Sequence, residues 1–187
     1  MVKQIKQYIL CLSLLLIPSI GQARIFAQWG VASSHPGTTK YSDVKFVEFG
    51  KSGSEGKLAY TCGIGGWHDG SGYVGGSGIT IKDVNTGHVH SKGGELQEKA
   101  RDSFFVETLL GVEPISDHFY ISYKLGPAII SHTDALLGSN LQIGHELSFG
   151  MRDNKEVRVG IVLKHFSNAG LLKPNLGRDF IGLRMEW

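Results

Sequence analysis

The chain has 187 residues, a formal net charge of only +2, 26 glycines and two cysteines. So small a charge, carried by scattered basic residues, gives no electrostatic footprint for nucleic acid, and the glycines show no collagen-like period. Cys11 lies in an N-terminal segment with the features of an export signal and Cys62 has no partner left, which excludes a disulfide framework or a cysteine-based metal site within one mature chain.

At the start, Lys3 and Lys6 precede an apolar run from Tyr8 to Ile17, followed by Pro18 and the small-x-small sequence Gly21-Gln22-Ala23. This is the layout of a secretory signal peptide, with cleavage expected after Ala23 and a single domain over 24–187. No later stretch reaches 18 apolar residues, so no membrane-spanning helix is expected.

Beyond the signal the chain alternates in polarity. Phe119, Ile121, Tyr123 and Leu125 point one way and Tyr120, Ser122, Lys124 and Gly126 the other, because successive side chains of a strand face opposite sides. The pattern recurs with Leu141, Ile143, Leu147 and Phe149, then with Val157, Val159, Ile161 and Leu163, and finally with Ile181, Leu183, Met185 and Trp187. Strands are predicted near 25–33, 43–51, 57–67, 103–113, 118–131, 139–151, 156–167 and 178–187. Their connections alternate long and short, with 51–56, 113–117 and 152–155 short and the stretch 68–102 very long. Within that stretch, residues 72–82 are read as a hairpin and the sequence GELQEKAR, 94–101, as a short helix.

Charges recur on the second face of consecutive strands, which suits a polar lumen better than a packed core. A soluble sandwich or lipocalin-like barrel shares the alternation. The long-short rhythm and the aromatic Trp187 at the end of an amphipathic strand favour an all-β, eight-stranded antiparallel transmembrane β-barrel in the bacterial outer membrane, with both termini in the periplasm.

On that barrel His165 and Ser167 continue the lipid-facing parity of the seventh strand, at its outer end. A His-x-Ser triplet arises about once by chance in a chain of this composition, so its position matters more than its presence. Polar groups facing lipid mark function when they are paired. A nucleophilic serine needs a base, and the base a third group to orient it. Asp179 begins the last, antiparallel strand on the same face and at the same height, whereas Glu146 points into the lumen. Plain interface residues at the headgroup layer would show the same three types.

The run HFSNAG, 165–170, followed by KPNLG, 173–177, in a small exported barrel resembles the PagL family of lipid A 3-O-deacylases. The resemblance is specific over 165–177 and architectural elsewhere. It implies hydrolysis of the ester that links a 3-hydroxyacyl chain to position 3 of lipid A in the outer leaflet, with Ser167 as nucleophile, His165 as base and Asp179, where the family usually has glutamate, as the acid. It further implies oxyanion donors at Gly170 and Asn175, with Asn168 as an additional contributor, and no metal or organic cofactor. Its partners are then lipid A or lipopolysaccharide as substrate and the membrane itself, with a homodimer as an option and no nucleic acid.

Lys173 and Arg178 flank the site and are candidates for the phosphates of lipid A, although loop cations are common. His145 shares the lipid-facing parity on the neighbouring strand, where it can hydrogen-bond near the site. His88-x-His90 lacks a third ligand and reads as a solvated loop. The rival functions are a non-enzymatic adhesin or structural barrel, and a phospholipase or acyltransferase acting on another lipid.

Overall fold

A segment with one apolar and one polar face can cross lipid only if every backbone group finds a partner in a closed sheet. The computed structural model makes that closure. It describes residues 22–32, 39–41, 44–69, 72–74, 81–82, 89–90, 96–98, 101–114, 116, 118–132, 137–153, 157–172, 175 and 177–187. The strands are β1 Gln22–Ala32, β2 Thr39–Tyr41, β3 Lys45–Glu55, β4 Leu58–Asp69, β5 Gly72–Val74, β6 Ile81–Lys82 and β7 Val89–His90, then β8 Leu96–Glu98, β9 Arg101–Val112, β10 Phe119–Ile130, β11 Leu141–Arg152, β12 Arg158–Ser167 and β13 Arg178–Glu186.

Eight of them close a barrel in the order β1-β13-β12-β11-β10-β9-β4-β3, each antiparallel to its neighbours, as the alternation predicts. The seam between first and last strand runs from Phe26 opposite Glu186 to Ala32 opposite Phe180. Beyond it, Ile25 and Trp187 exchange two backbone hydrogen bonds of 3.0 Å.

Two expectations about connections need correction. The predicted 51–56 turn shrinks to Gly56 and Lys57, and β3 runs on to Glu55. Serine and glycine suggest a loop there, yet Gly53 leaves room for the Tyr60 ring, which an added Cβ would meet at 2.5 Å, and Gly56 takes the turn's positive φ of 59°. In the long connection, β5 does not form a hairpin with β6. It pairs with β2 and β8 in a three-stranded sheet, while β6 pairs with β7. The expected helix is therefore a strand at Leu96–Glu98, because helix propensity is a weak preference that an open sheet edge outweighs.

Outward, each barrel strand presents large apolar side chains, among them Trp29, Phe49, Ile64, Leu110, Ile121, Phe149, Ile161 and Leu183, all exposed. Inward, the barrel is layered. Toward the long loops, Phe46, Trp67, Phe105, Phe166 and Phe180 form an aromatic cluster with ring centroids as close as 4.9 Å. That apolar plug departs from the polar lumen expected, since alternation tells which face is inside but not how deep each residue sits. Below it, Lys164 pairs with Glu48 and, at 2.5 Å, with Glu107. Arg184 and Lys124 each reach Glu146 at 3.0 Å. Arg158 pairs with Glu113 at 2.5 Å. Buried charges of this kind persist only when paired, so the lumen is filled by ion pairs rather than left as a channel.

Candidate active site

The antiparallel register of β12 and β13 sets His165 directly opposite Asp179. Directly opposed residues have Cβ atoms about 5 Å apart on one face, which suits an imidazole meeting a carboxylate. Nδ1 of His165 lies 2.6 Å from Oδ1 of Asp179, and their side chains remain 35% and 29% exposed. With Nδ1–H donated to the carboxylate, Nε2 is left as the acceptor that a general base requires.

Both residues are held by their inward neighbours. Lys164 is tied to three carboxylates, Glu146 at 3.5 Å being the third, and Phe166 packs edge-on against Phe180 at 6.2 Å. The outward histidine, serine and aspartate thus ride on buried anchors one residue away. Ser167 comes two residues after His165, partly buried on the same face and opposite Ile143. Its hydroxyl makes no hydrogen bond among the described residues.

After Ser167 the chain turns through Ala169, at φ 53°, and Gly170, at φ 79°. A left-handed alanine costs about 1–2 kcal/mol, and Asn168 holds the turn in place. Buried at 2% exposure, Asn168 donates its amide to Asn175 Oδ1 at 2.9 Å and its Nδ2 to Leu172 O at 2.8 Å, while its Oδ1 accepts the Gly170 amide at 3.1 Å. Asn168 therefore organises the loop. Asn175, bridged to Leu137 of the preceding loop, has only its oxygen engaged, so its Nδ2 has no partner among the described residues.

One residue near the site escapes sequence reasoning. Gly177, at φ 77°, brings the backbone over the His165 ring, and an added Cβ would lie 2.5 Å from Cε1. The signal is the glycine that ends KPNLG, to which spacing alone assigns no contact.

Other expectations fall differently. Arg178 does not flank the site: it turns inward, 3% exposed, with its guanidinium 5.4 Å from the centre of the Trp67 ring. The reason is parity, since Arg178 adjoins outward Asp179. Lys173 and His88 lie outside the described residues, and of His90 only the backbone is described, paired with Ile81. His145 lies opposite His165 on β11, with ring centroids 5.7 Å apart, and its Nδ1 is 2.9 Å from the Tyr123 hydroxyl. Glu146 faces the lumen, fully buried.

Among the described residues the group with metal-ligand spacing is Glu48, Glu107 and Glu146. The Lys164 ammonium already sits among these carboxylates, supplying a cation from the chain itself. A second His–Asp pair exists, His68 Nδ1 to Asp102 Oδ1 at 2.7 Å, at the loop end of β4 and β9.

Residues 55–187 match the model of a family described as lipid A 3-O-deacylase (PagL). The lipid A deacylase PagL of Bordetella bronchiseptica is 36% identical over 70 residues, which cover 36% of this chain and 39% of that protein. A crystal structure of the outer membrane enzyme PagL aligns with a TM-score of 0.54 at 20% identity, covering 87% of this chain and 97% of that one.

Proposed function

Since the chain belongs to the lipid A 3-O-deacylase (PagL) family, we propose that it is an outer-membrane hydrolase that removes the ester-linked 3-hydroxyacyl chain from position 3 of lipid A. The observation that carries the reading is the 2.6 Å contact of His165 with Asp179 on a lipid-facing surface, with Ser167 two residues away on the same face.

Ser167 Oγ adds to the ester carbonyl while His165 Nε2 takes its proton. The tetrahedral intermediate's negative oxygen is met by Asn175 Nδ2 and the Gly170 amide, the latter exchanging its contact with Asn168 Oδ1 for the oxyanion. Donors brought against developing charge in a partly desolvated site stabilise it more than solvent would. Collapse breaks the bond to the sugar oxygen, which leaves with the proton from His165. Water, activated by His165, then cleaves the Ser167 ester and frees a 3-hydroxy fatty acid. Asp179 keeps His165 in the Nδ1–H tautomer and stabilises the imidazolium. Lys173 is read as a contact to lipid A phosphate.

The site lies at the end of the barrel that carries the long loops, and in outer-membrane barrels those loops are external. This favours the outer leaflet, where lipid A resides. Residues 1–23 are read as a cleaved export signal, cleavage trimming Gln22 and Ala23 from the start of β1.

Mass spectra of lipid A from cells with the parent protein, with Ser167→Ala, and with neither form the test. Loss of one hydroxyacyl chain with the parent alone is expected. An unchanged spectrum with inserted parent protein would favour a passive barrel, a gained chain would mean acyl transfer, and full activity in inserted Ser167→Ala would overturn the mechanism.

A further inference from the structure

His145 is a polar residue in an apolar wall. It lies on the outward face of β11, opposite His165 on one side and Leu125 on the other. The groove it lines together with Tyr123, about 370 Å³, has Leu147, Leu163 and Ile181 on its lipid side and includes His165 and Asp179. A polar atom left unpaired in such surroundings costs about 1–3 kcal/mol.

Tyr123 meets half of that need, its hydroxyl lying 2.9 Å from His145 Nδ1. The other ring nitrogen, Nε2, has no hydrogen-bond partner among the described residues. If the tyrosine donates, Nε2 carries the proton and is a donor; if the tyrosine accepts, Nε2 is an acceptor. A hydroxyl can complete either arrangement, whereas a carbonyl or an ammonium completes only one.

Distance selects which hydroxyl. In a 3-hydroxyacyl ester the hydroxyl oxygen stands about 3–4 Å from the ester carbonyl carbon, given carbon–carbon bonds near 1.5 Å. The two imidazole rings are 5.7 Å apart, so a carbonyl presented to Ser167 beside His165 brings its 3-hydroxyl within reach of His145. The rest of the chain then continues over the leucines and isoleucine of the groove.

We propose that His145, oriented by Tyr123, is a specificity residue that reads the 3-hydroxyl of the acyl chain to be removed, so that the site selects 3-hydroxyacyl esters over unsubstituted acyl esters. This rests on the deacylase reading of the same site.

The test uses the full chain in detergent, with correct folding confirmed by its β-type circular dichroism. The substrates are two esters of the same alcohol and chain length, one with and one without the 3-hydroxyl. A site that hydrogen-bonds a substrate hydroxyl discriminates strongly against its absence, so a parent preference of about 10-fold or more in kcat/KM is expected. His145→Phe should fall further on the hydroxyacyl ester than on the plain one, bringing the ratio to about 2 or less, with Tyr123→Phe between it and the parent. An unchanged ratio in folded His145→Phe would overturn the proposal. So would an equal loss on both esters, which would make His145 a positioning residue for His165. A folded parent that cleaves neither ester would instead remove the deacylase reading, and a parent that cleaves both equally would remove only the proposed selectivity.

Discussion

Two His–Asp pairs of nearly equal length sit on opposite seams of the barrel, with two strands between them either way round. His165 and Asp179 join β12 to β13 at 2.6 Å, and His68 and Asp102 join β4 to β9 at 2.7 Å. Each pair is formed by directly opposed residues at the loop end of its strands. The surroundings differ. Two residues after His165 comes Ser167, whereas two residues after His68 the sequence has Gly70, which carries no hydroxyl, and the outward neighbour of Asp102 is Phe104. The His165 pair is about one-third exposed and lies under Gly177, whereas the His68 pair is 57% and 70% exposed. A hydrogen-bonded imidazole and carboxylate therefore occur at two places on this rim and do not by themselves distinguish one from the other. A hydroxyl on the same face, partial desolvation and a backbone lid distinguish the seam proposed for ester hydrolysis.

The largest effect that separates the seams is expected from Asp179→Asn. Losing the carboxylate favours the wrong tautomer of His165, which in comparable triads costs about 10⁴-fold in kcat. Hydrolysis of an ester substrate by folded, detergent-solubilised protein measures it. An Asp179→Asn variant as active as the parent would mean that another group orients His165, and buried Glu146, held by Arg184 in the lumen, is not placed to do so. Asp179→Glu, which restores the family's usual acid, tests geometry apart from charge. Much of the activity should survive, because a partly exposed residue at a strand start can absorb one methylene more readily than a packed core.

Next in size is Gly177→Ala. Its Cβ would press on His165 Cε1 from 2.5 Å, at a φ of 77° that L-residues avoid. The ring must shift, and a displacement of about 1 Å at a catalytic group can cost 10²-fold in rate. The backbone penalty is about 1–2 kcal/mol, small enough to leave a folded barrel, so kcat reduced about 10–100-fold in folded protein is expected. Unaltered kcat would show that the ring has room the geometry denies it.

Much of the barrel and its rim is legible in the sequence because one rule, period two, settles both strand and face. It puts His165, Ser167 and Asp179 on one surface and Glu146 on the other. Position along the barrel axis has no such rule, which is why the aromatic plug around Trp67 and Phe166 escapes a reading of alternation. Arg178 is misplaced for a simpler reason: nearness in sequence suggests that it flanks the site, although its parity opposes that of Asp179. Gly177 over His165, Tyr123 against His145 and the knot of hydrogen bonds around Asn168 depend on contacts between segments. No local pattern encodes them. The three-stranded loop sheet is the extreme case, joining residues 39–41, 72–74 and 96–98.

The smallest effect is expected at the opposite seam, from Asp102→Asn. That carboxylate is 70% exposed and its histidine 57%, so their interaction is screened by solvent. An exposed ion pair contributes no more than about 1 kcal/mol, and asparagine can still accept a hydrogen bond from His68. Activity within about 2-fold of the parent and an almost unchanged unfolding midpoint in urea are therefore expected, since surface substitutions usually stay within about 0.5 kcal/mol. The comparison with Asp179→Asn uses the same chemical change in the same register position on a second pair of strands, so differences in side-chain size or helix propensity do not enter. If Asp102→Asn instead lost activity as steeply as Asp179→Asn, a hydrogen-bonded His–Asp pair at the rim would matter wherever it sits. The neighbouring hydroxyl and the backbone lid would then no longer be what marks the proposed catalytic seam.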